Sequence, residues 1–140
     1  MFAVLDTNHF REVAEGTAYA NGLSERAAVQ RAEVFLSIVA VQEATSGWLA
    51  RSNSLSAGRD QVRSYASFQK TITAFTKYSI LPFDTDAAEI FHKLKREHPR
   101  SGTMDLKIAA ICLAHDATLL TRNVGDFENI TDLRVENWLD

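Results

Sequence analysis

The stretch "MDLKIAAICLAHDATLLTRNVGDF", residues 104–127, decides the fold class of this chain. Between Leu106 and Leu113 it is apolar on almost every side, which predicts a helix packed deep in a core. "ATLLT", residues 117–121, is then typical of a short buried strand, and polar residues follow it at once. A buried helix leading into a buried strand indicates an α/β protein whose parallel sheet is covered on both faces.

The same pattern, an apolar strand followed by polar residues, occurs at the start of the chain. "FAVL", residues 2–5, predicts a strand that ends at Asp6. Three further strands are predicted at residues 34–36, 79–83 and 133–138. Because helical patterns separate these strands, we expect a three-layer α/β/α fold with a central parallel sheet flanked by helices. Ligands of such sheets gather beyond the carboxyl ends of the strands.

Helices are predicted between the strands. Residues 16–25 are typical of a loop, and Ser24 is a candidate N-cap for a helix over residues 25–33. Ser37 is a candidate N-cap for a second helix, from about residue 38 to 51. Apolar residues at three- and four-residue steps predict an amphipathic helix that faces the core; they are Val62, Tyr65, Phe68, Ile72 and Phe75.

Composition limits the class of protein. The 140 residues fit one domain, 1–140, with 46% hydrophobic and 24% charged residues. A net charge of −3 does not favour broad electrostatic binding of nucleic acid, although a metal ion can reverse the local field. Cys112 is the only cysteine and lies in an apolar run, and no segment resembles a signal peptide or membrane span. We therefore expect a cytoplasmic protein with no membrane association.

Four carboxylates lie near the predicted carboxyl edge of the sheet. Asp6 follows the first strand, and Glu43 lies in the early part of the helix predicted from about residue 38 to 51. Asp105 lies in the first turn of the apolar helix, and Asp126 follows "ATLLT". Each also has an ordinary structural interpretation. Asp6 is typical of a turn, Glu43 of a solvated helix surface, and Asp105 and Asp126 of helix capping. Four acids from four separated segments nevertheless predict a common pocket.

Carboxylates that converge repel one another and raise one another's pKa values, and a hard divalent cation removes this conflict. Mg²⁺ or Mn²⁺ prefers oxygen ligands and suits phosphodiester hydrolysis. One cysteine and four scattered histidines disfavour a tetrahedral zinc site. His9 and His115 are candidate general bases, although a lone histidine beside a helix is more often structural.

Four segments, in this order, resemble motifs of the PIN-domain family and, within it, of the VapC-type toxin ribonucleases of toxin–antitoxin pairs. They are "VLDTNHF", "SIVAVQEATSGW", "SGTMDLKIAAICLAH" and "LLTRNVGDF", and "LRVENW" is similar to the family's ending. The resemblance implies a PIN-like fold and an Mg²⁺- or Mn²⁺-dependent endoribonuclease. It also implies RNA as the substrate, a homodimer, and inhibition by a cognate antitoxin. The catalytic and metal-binding acids would then be Asp6, Glu43, Asp105 and Asp126.

Polar residues beside these acids are candidates for contacts with the substrate. Arg122 could bind a phosphate, hold a carboxylate or lie on the surface, and Asn123 could orient a neighbouring group. With Arg122, Arg11 and Lys107 are candidate phosphate contacts.

Two other functions fit parts of the sequence. One is a catalytically inactive PIN-like module that binds RNA or protein, although all four acids are present. The other is a phosphatase or receiver-type domain with Asp6 as the acceptor. That design needs a second acid next to Asp6 or a lysine after a late strand, and this chain has Thr7 and Arg122 at those places.

Overall fold

The computed structural model describes residues 1–140 as five strands and seven helices. In chain order they are β1 (Phe2–Leu5), α1 (Thr7–Glu15), α2 (Ala18–Gln30), β2 (Glu33–Ser37), α3 (Ile38–Asn53), α4 (Val62–Phe75), β3 (Ser79–Leu81), α5 (Thr85–Glu97), α6 (Thr103–Ala114), β4 (Thr118–Leu120), α7 (Val124–Phe127) and β5 (Val135–Glu136). A single 3₁₀ turn, Arg59–Gln61, precedes α4. No helix combines the length and the apolar composition needed to cross a membrane.

All strand pairs are parallel, and the strand order is β3-β2-β1-β4-β5. The central strand, β1, pairs Leu5 with Leu36 on one side and with Leu120 on the other. The chain moves outward from β1 to β2 and β3 and later returns to its other side with β4. The carboxyl end of β1 is therefore the point where the sheet changes direction, which is where open α/β sheets bind ligands. This topology confirms the predicted central parallel sheet.

Two hydrophobic cores lie on opposite faces of this sheet. Val4 belongs to the first core, which α5 and α6 cover, whereas Ala3 and Leu5 belong to the second, which α1, α2 and α4 cover. This division follows from the strand period of two, because successive side chains point to opposite faces. The predicted three-layer α/β/α architecture is confirmed.

The apolar segment 104–113 is indeed a deeply buried helix. Six residues of α6 are buried: Leu106, Ile108, Ala109, Ala110, Ile111 and Cys112. Burial raises the pKa of the Cys112 thiol to about 12, so this cysteine is an inert core residue.

The prediction of a loop at residues 16–25 is wrong. Gly16 ends α1 in the left-handed conformation (φ 65°), and α2 begins at Ala18, so Ser24 lies inside a helix instead of capping one. Gly22 and Asn21 lower the intrinsic helix propensity, which produced the error. Tertiary packing overrides that propensity, because Leu23 is buried in the second core.

Helix α4 covers the residues of the predicted helix, but the predicted apolar face is buried only at its C-terminal end, where Phe75 belongs to the second core. Val62, Tyr65 and Ile72 are 64%, 55% and 48% exposed. The face toward α3 carries small polar residues instead, and the Ser64 and Ser52 hydroxyls lie 3.0 Å apart. Hydrogen bonding between hydroxyls lets the two helices approach closely, so over most of α4 apolar periodicity gave the wrong face.

Candidate active site

Asp6 lies immediately after β1 at the centre of the carboxyl edge. It is the N-cap of α1, and its Oδ1 accepts a hydrogen bond from the backbone N–H of His9 at 2.8 Å. Its own backbone N–H donates to the carbonyl of Leu120 in β4. The side chain is only 11% exposed. Asp6 is thus a capping residue, and its carboxylate also borders the interior of the site.

Glu43 lies in the second turn of α3, half-buried beside Thr7. The Thr7 hydroxyl donates to Glu43 Oε1 at 3.1 Å. Helix α3 is placed by Ser37, whose Oγ accepts from the N–H of Ala40 at 3.0 Å. Burial raises the pKa of Glu43, the charges of Asp105 and Asp6 raise it further, and the Thr7 hydroxyl opposes them. Glu43 is therefore not an ordinary solvated helix residue.

Asp105 lies in the first turn of α6, where the helix dipole favours a carboxylate. The pKa of Asp105 is nevertheless raised, first by burial and then by the charges of Asp126 and Asp6. Desolvation and repulsion by neighbouring acids therefore raise the pKa of Asp105 by more than the helix dipole lowers it.

Asp126 lies in the short helix α7, not in a loop, and it is exposed. Its charge contributes to the raised pKa of Asp105, which places the two acids in the same region. Asp126 therefore forms the open side of the acidic site, whereas Asp6 lies at its buried side.

Charge interactions that involve all four predicted acids thus raise the pKa values of two of them, Glu43 and Asp105, at one edge of the sheet. No group of three or more Asp, Glu, His or Cys side chains is close enough to hold one metal ion directly. In this arrangement an ion would contact at most two carboxylates and reach the others through water. Mg²⁺ is bound in this way, because it keeps several waters and uses one or two carboxylates. The all-oxygen donor set fits Mg²⁺ or Mn²⁺ and does not fit a tetrahedral zinc site.

Arg122 is held by the protein scaffold. Its guanidinium lies 3.4 Å from Glu12 Oε1 and 3.3 Å from Asp140 Oδ2, and it stacks over Tyr19 at 4.9 Å from the ring centroid. Of the three sequence interpretations, the structure displays the binding of carboxylates. Asn123 exposes its side chain next to Asp126, and its N–H donates to the buried Thr121 hydroxyl at 3.0 Å.

A cleft of about 660 Å³ adjoins the acids between α1, α3 and α4. Its lining includes Thr7 and Glu43 as well as three arginines, Arg11, Arg51 and Arg63. Arg51 and Arg63 were not predicted from the sequence, because they belong to none of the motifs and meet only when α3 packs on α4. Lys107 lies elsewhere, in a smaller cleft beside Phe83.

The two candidate histidines lie in different surroundings. His115 caps the C-terminus of α6 and has Nδ1 3.1 Å from the carbonyl of Ile111. His115 follows Asp105 by ten residues along α6, an axial distance of about 15 Å, so it cannot reach the acids. His9, in contrast, is fully buried with Nδ1 3.3 Å from Asp6 Oδ1.

Comparison with known sequences gives both a family and relatives. A model of the PIN domain matches residues 3–133. Ribonuclease VapC1 of Rickettsia felis is 39% identical over 62 residues, which make up 41% of this chain and 46% of that protein. Ribonuclease VapC2 of the same organism is 31% identical over 67 residues, or 45% of this chain and 50% of that protein. The chain spans about half the length of the curated relatives that it matches.

Solved structures share the fold over nearly the whole chain. The crystal structure of VapBC2 from Rickettsia felis bound to a DNA fragment from their promoter matches with a TM-score of 0.80 and 22% identity, over 99% of both chains. The 2.2 Å structure of VapBC-1 from nontypeable Haemophilus influenzae matches with a TM-score of 0.77 and 21% identity, over 100% of both. The sheet order, the two covering layers and a family model that spans nearly all residues agree: this chain belongs to the PIN domain family.

Proposed function

We propose that this protein is an Mg²⁺- or Mn²⁺-dependent endoribonuclease of the VapC type, which hydrolyses phosphodiester bonds of RNA. The observation that carries the proposal is the placement of carboxylates after β1 and on α3, α6 and α7 near the point where the sheet changes direction. They are close enough that the charges of their neighbours raise the pKa values of Glu43 and Asp105. The similarity to Ribonuclease VapC1 and VapC2 of Rickettsia felis supports the same reaction.

The four acids would hold the cation: Asp6, Glu43, Asp105 and Asp126. When bound, Mg²⁺ or Mn²⁺ supplies Lewis acidity that lowers the pKa of water and neutralises charge on the phosphodiester. The protein's own contribution is to orient the oxygens. The backbone of His9 fixes Asp6 Oδ1, and the Thr7 hydroxyl fixes Glu43 Oε1, so both side chains are set before a cation arrives.

Substrate binding is assigned to groups on two sides of the acids. Arg122 and Asn123 lie beside Asp126, and the guanidinium is held in place by its two carboxylate partners while its side chain is still 32% exposed. The cleft arginines Arg11 and Arg51 offer a path for further phosphates. Because Glu15 also lines this cleft, the attraction is local and we expect a shallow dependence of RNA binding on salt.

A cognate antitoxin is the proposed regulator, since the solved structures that share this fold include VapBC assemblies and a member of the VapBC family of toxin–antitoxin systems. Large exposed apolar side chains on α3 and α4 are suited to protein contacts, with Leu49 48% and Val62 64% exposed. We assign this surface to association with a second copy or with the antitoxin. The proposed compartment is the cytoplasm, where a reduced, buried Cys112 is expected.

The test is cleavage of RNA by the purified chain in Mg²⁺, in Mn²⁺ and in excess chelator. We expect cleavage only with a divalent cation, and a loss of at least 100-fold in Asp6→Asn, which keeps the shape but removes the charge. Asp86→Asn, an exposed residue of α5, is the matched control and should cleave like the parent. Equal cleavage by Asp6→Asn and the parent would show that the acids are not the active site. Tight Mn²⁺ binding without any cleavage would favour the inactive binding module.

A further inference from the structure

His9 is the one fully buried histidine of the chain, and it connects the acidic site to the C-terminal residues. The ring lies in the first turn of α1, and its Nε2 is 3.2 Å from the backbone nitrogen of Trp138. An amide nitrogen can only donate, so Nε2 must be the acceptor and carries no proton. The neutral ring therefore carries its proton on Nδ1.

That proton faces Asp6. Nδ1 lies 3.3 Å from Asp6 Oδ1, yet it makes no hydrogen bond with acceptable angles, and it is the only buried side-chain nitrogen or oxygen of the chain without a partner. The 3.3 Å between Nδ1 and Oδ1 is short enough for a hydrogen bond, and only the angle between the N–H bond and the carboxylate oxygen is unfavourable. A small rotation of either side chain would complete the bond, and leaving a buried N–H unpaired is unfavourable.

The surroundings argue against a purely space-filling role for His9. It is enclosed by the second core, with Phe10, Trp138 and Leu139 as buried members of that core. An aliphatic side chain would fill such a position without requiring a hydrogen-bond partner. The imidazole instead has one nitrogen that accepts from the backbone of Trp138 and one that faces Asp6. Trp138 is 129 residues from His9 along the chain.

We propose that His9 is a positioning residue, which fixes Asp6 through an Nδ1–H hydrogen bond so that Asp6 Oδ2 is directed to the divalent cation. This inference rests on the proposed function. Asp6 Oδ1 already accepts a hydrogen bond from the backbone N–H of His9 at 2.8 Å, and the ring N–H would donate a second one to the same oxygen. Oδ2 is then the oxygen that remains for the cation. Groups that orient a ligand in this way commonly change metal affinity by 10–100-fold when they are removed.

The two nitrogens can be tested separately with His9→Asn and His9→Gln. The Asn amide nitrogen is as many bonds from Cβ as Nδ1, so it can still donate to Asp6 but cannot reach Trp138. The Gln amide oxygen is as many bonds from Cβ as Nε2, so it can still accept from Trp138 but offers no donor at the Nδ1 position. Both variants place an amide in the same buried pocket, which makes each the control for the other's loss of stability.

The measurement is the Mn²⁺ dissociation constant of the full chain, by calorimetry or electron paramagnetic resonance, on variants shown to be folded by circular dichroism. We expect His9→Asn to bind within about threefold of the parent and His9→Gln to bind about 10-fold or more weakly. Equal weakening in both, or weaker binding by His9→Asn, would overturn the proposal. If the parent itself binds no Mn²⁺, the proposed function fails as well.

A second measurement applies even if neither variant folds. Nitrogen-15 NMR of the parent distinguishes a protonated from an unprotonated imidazole nitrogen. We expect His9 with protonated Nδ1 and unprotonated Nε2, and a change of the Nδ1 resonance on titration with Mg²⁺. The opposite tautomer, or an Nδ1 resonance unaffected by Mg²⁺ concentrations that saturate the parent, would show that the ring does not position Asp6.

Discussion

Asp105→Asn should stabilise the metal-free protein and destabilise the metal-bound one. Burial and the charges of Asp126 and Asp6 raise the pKa of Asp105 above its ordinary value of 3.8. The folded state therefore holds this proton more tightly than the unfolded state, and stability falls as pH rises through the interval above 3.8. At pH 7 the Asn variant escapes this loss. Well below pH 3.8 the carboxyl is protonated in both states, and the advantage disappears.

The size of the effect follows from Coulomb's law. A like-charged pair roughly 8 Å apart repels by about 2 kcal/mol at an effective dielectric constant of about 20. Because Asp105 is only half-buried, solvent screening reduces this to about 1 kcal/mol. Unfolding entropy is about 2.1 cal/mol/K per residue, so in a chain of 140 residues 1 kcal/mol changes Tm by about 3 °C. Mn²⁺ at about 100 times its Kd adds about 2.7 kcal/mol to the parent, or about 9 °C.

The assay is thermal unfolding at pH 7, in chelator and in saturating Mn²⁺. The matched control is Asp86→Asn, which also removes a carboxylate from the first turn of a helix but lies exposed on α5. In chelator we expect Asp105→Asn to melt about 3 °C above this control, and in Mn²⁺ well below the parent. An Asp105→Asn variant that melts no higher than Asp86→Asn in chelator would refute the claim that the acids repel one another at this site.

Three further predictions concern the site and its support. Thr7→Val removes the hydroxyl that donates to Glu43 Oε1 at 3.1 Å. A half-exposed hydrogen bond to a charged group is worth about 1 kcal/mol, so the Mn²⁺ affinity measured by calorimetry at neutral pH should weaken about fivefold. The control Thr7→Ser keeps the hydroxyl and should bind Mn²⁺ like the parent. Because the pKa values of Glu43 and Asp105 are raised above 4.5 and 3.8, protons should compete with Mn²⁺ at a higher pH than they do for ordinary carboxylates. The Mn²⁺ affinity, measured from pH 7 downward, should therefore already fall above pH 4.5. An affinity that stays constant down to pH 4.5 would contradict this prediction. Leu120→Ala truncates a fully buried residue of β4 and should lower the unfolding free energy in urea by about 2–5 kcal/mol, and a loss below 1 kcal/mol would show that the second core is not tightly packed.

Several elements could be predicted because their signals are local. The apolar run that forms β1 ends at Asp6 in both the sequence and the structure, and Ser37 caps α3 as predicted. Local signals also misled: low helix propensity suggested a loop in place of the first part of α2, and apolar spacing assigned the exposed residues Val62, Tyr65 and Ile72 of α4 to the core. In both regions packing against another element decided the outcome, and the sequence of one segment does not record its neighbour.

The acidic site shows the same division. Asp6 and Asp126 come soon after strands β1 and β4, so the parallel order of the strands is enough to predict that they lie at one edge. Their function as metal ligands remains a proposal. The sequence could not indicate the cleft arginines Arg51 and Arg63, which come from different helices, or the carboxylate partners of Arg122 on α1 and at the C-terminus.

The sequence by itself determined the α/β class, the carboxyl edge of the sheet as the place where the acids gather, and the oxygen-rich composition of that edge, because hydrophobic runs and the residues that end them are local properties. Only the tertiary structure decided how those acids are supported. The hydrogen bond of His9 to Trp138 and its contact with Asp6 exist because β5 pairs with β4 and β4 with β1, which brings the last residues of the chain against the first turn of α1. Such contacts depend on which strands become neighbours, and that is settled by burying both faces of the sheet at once.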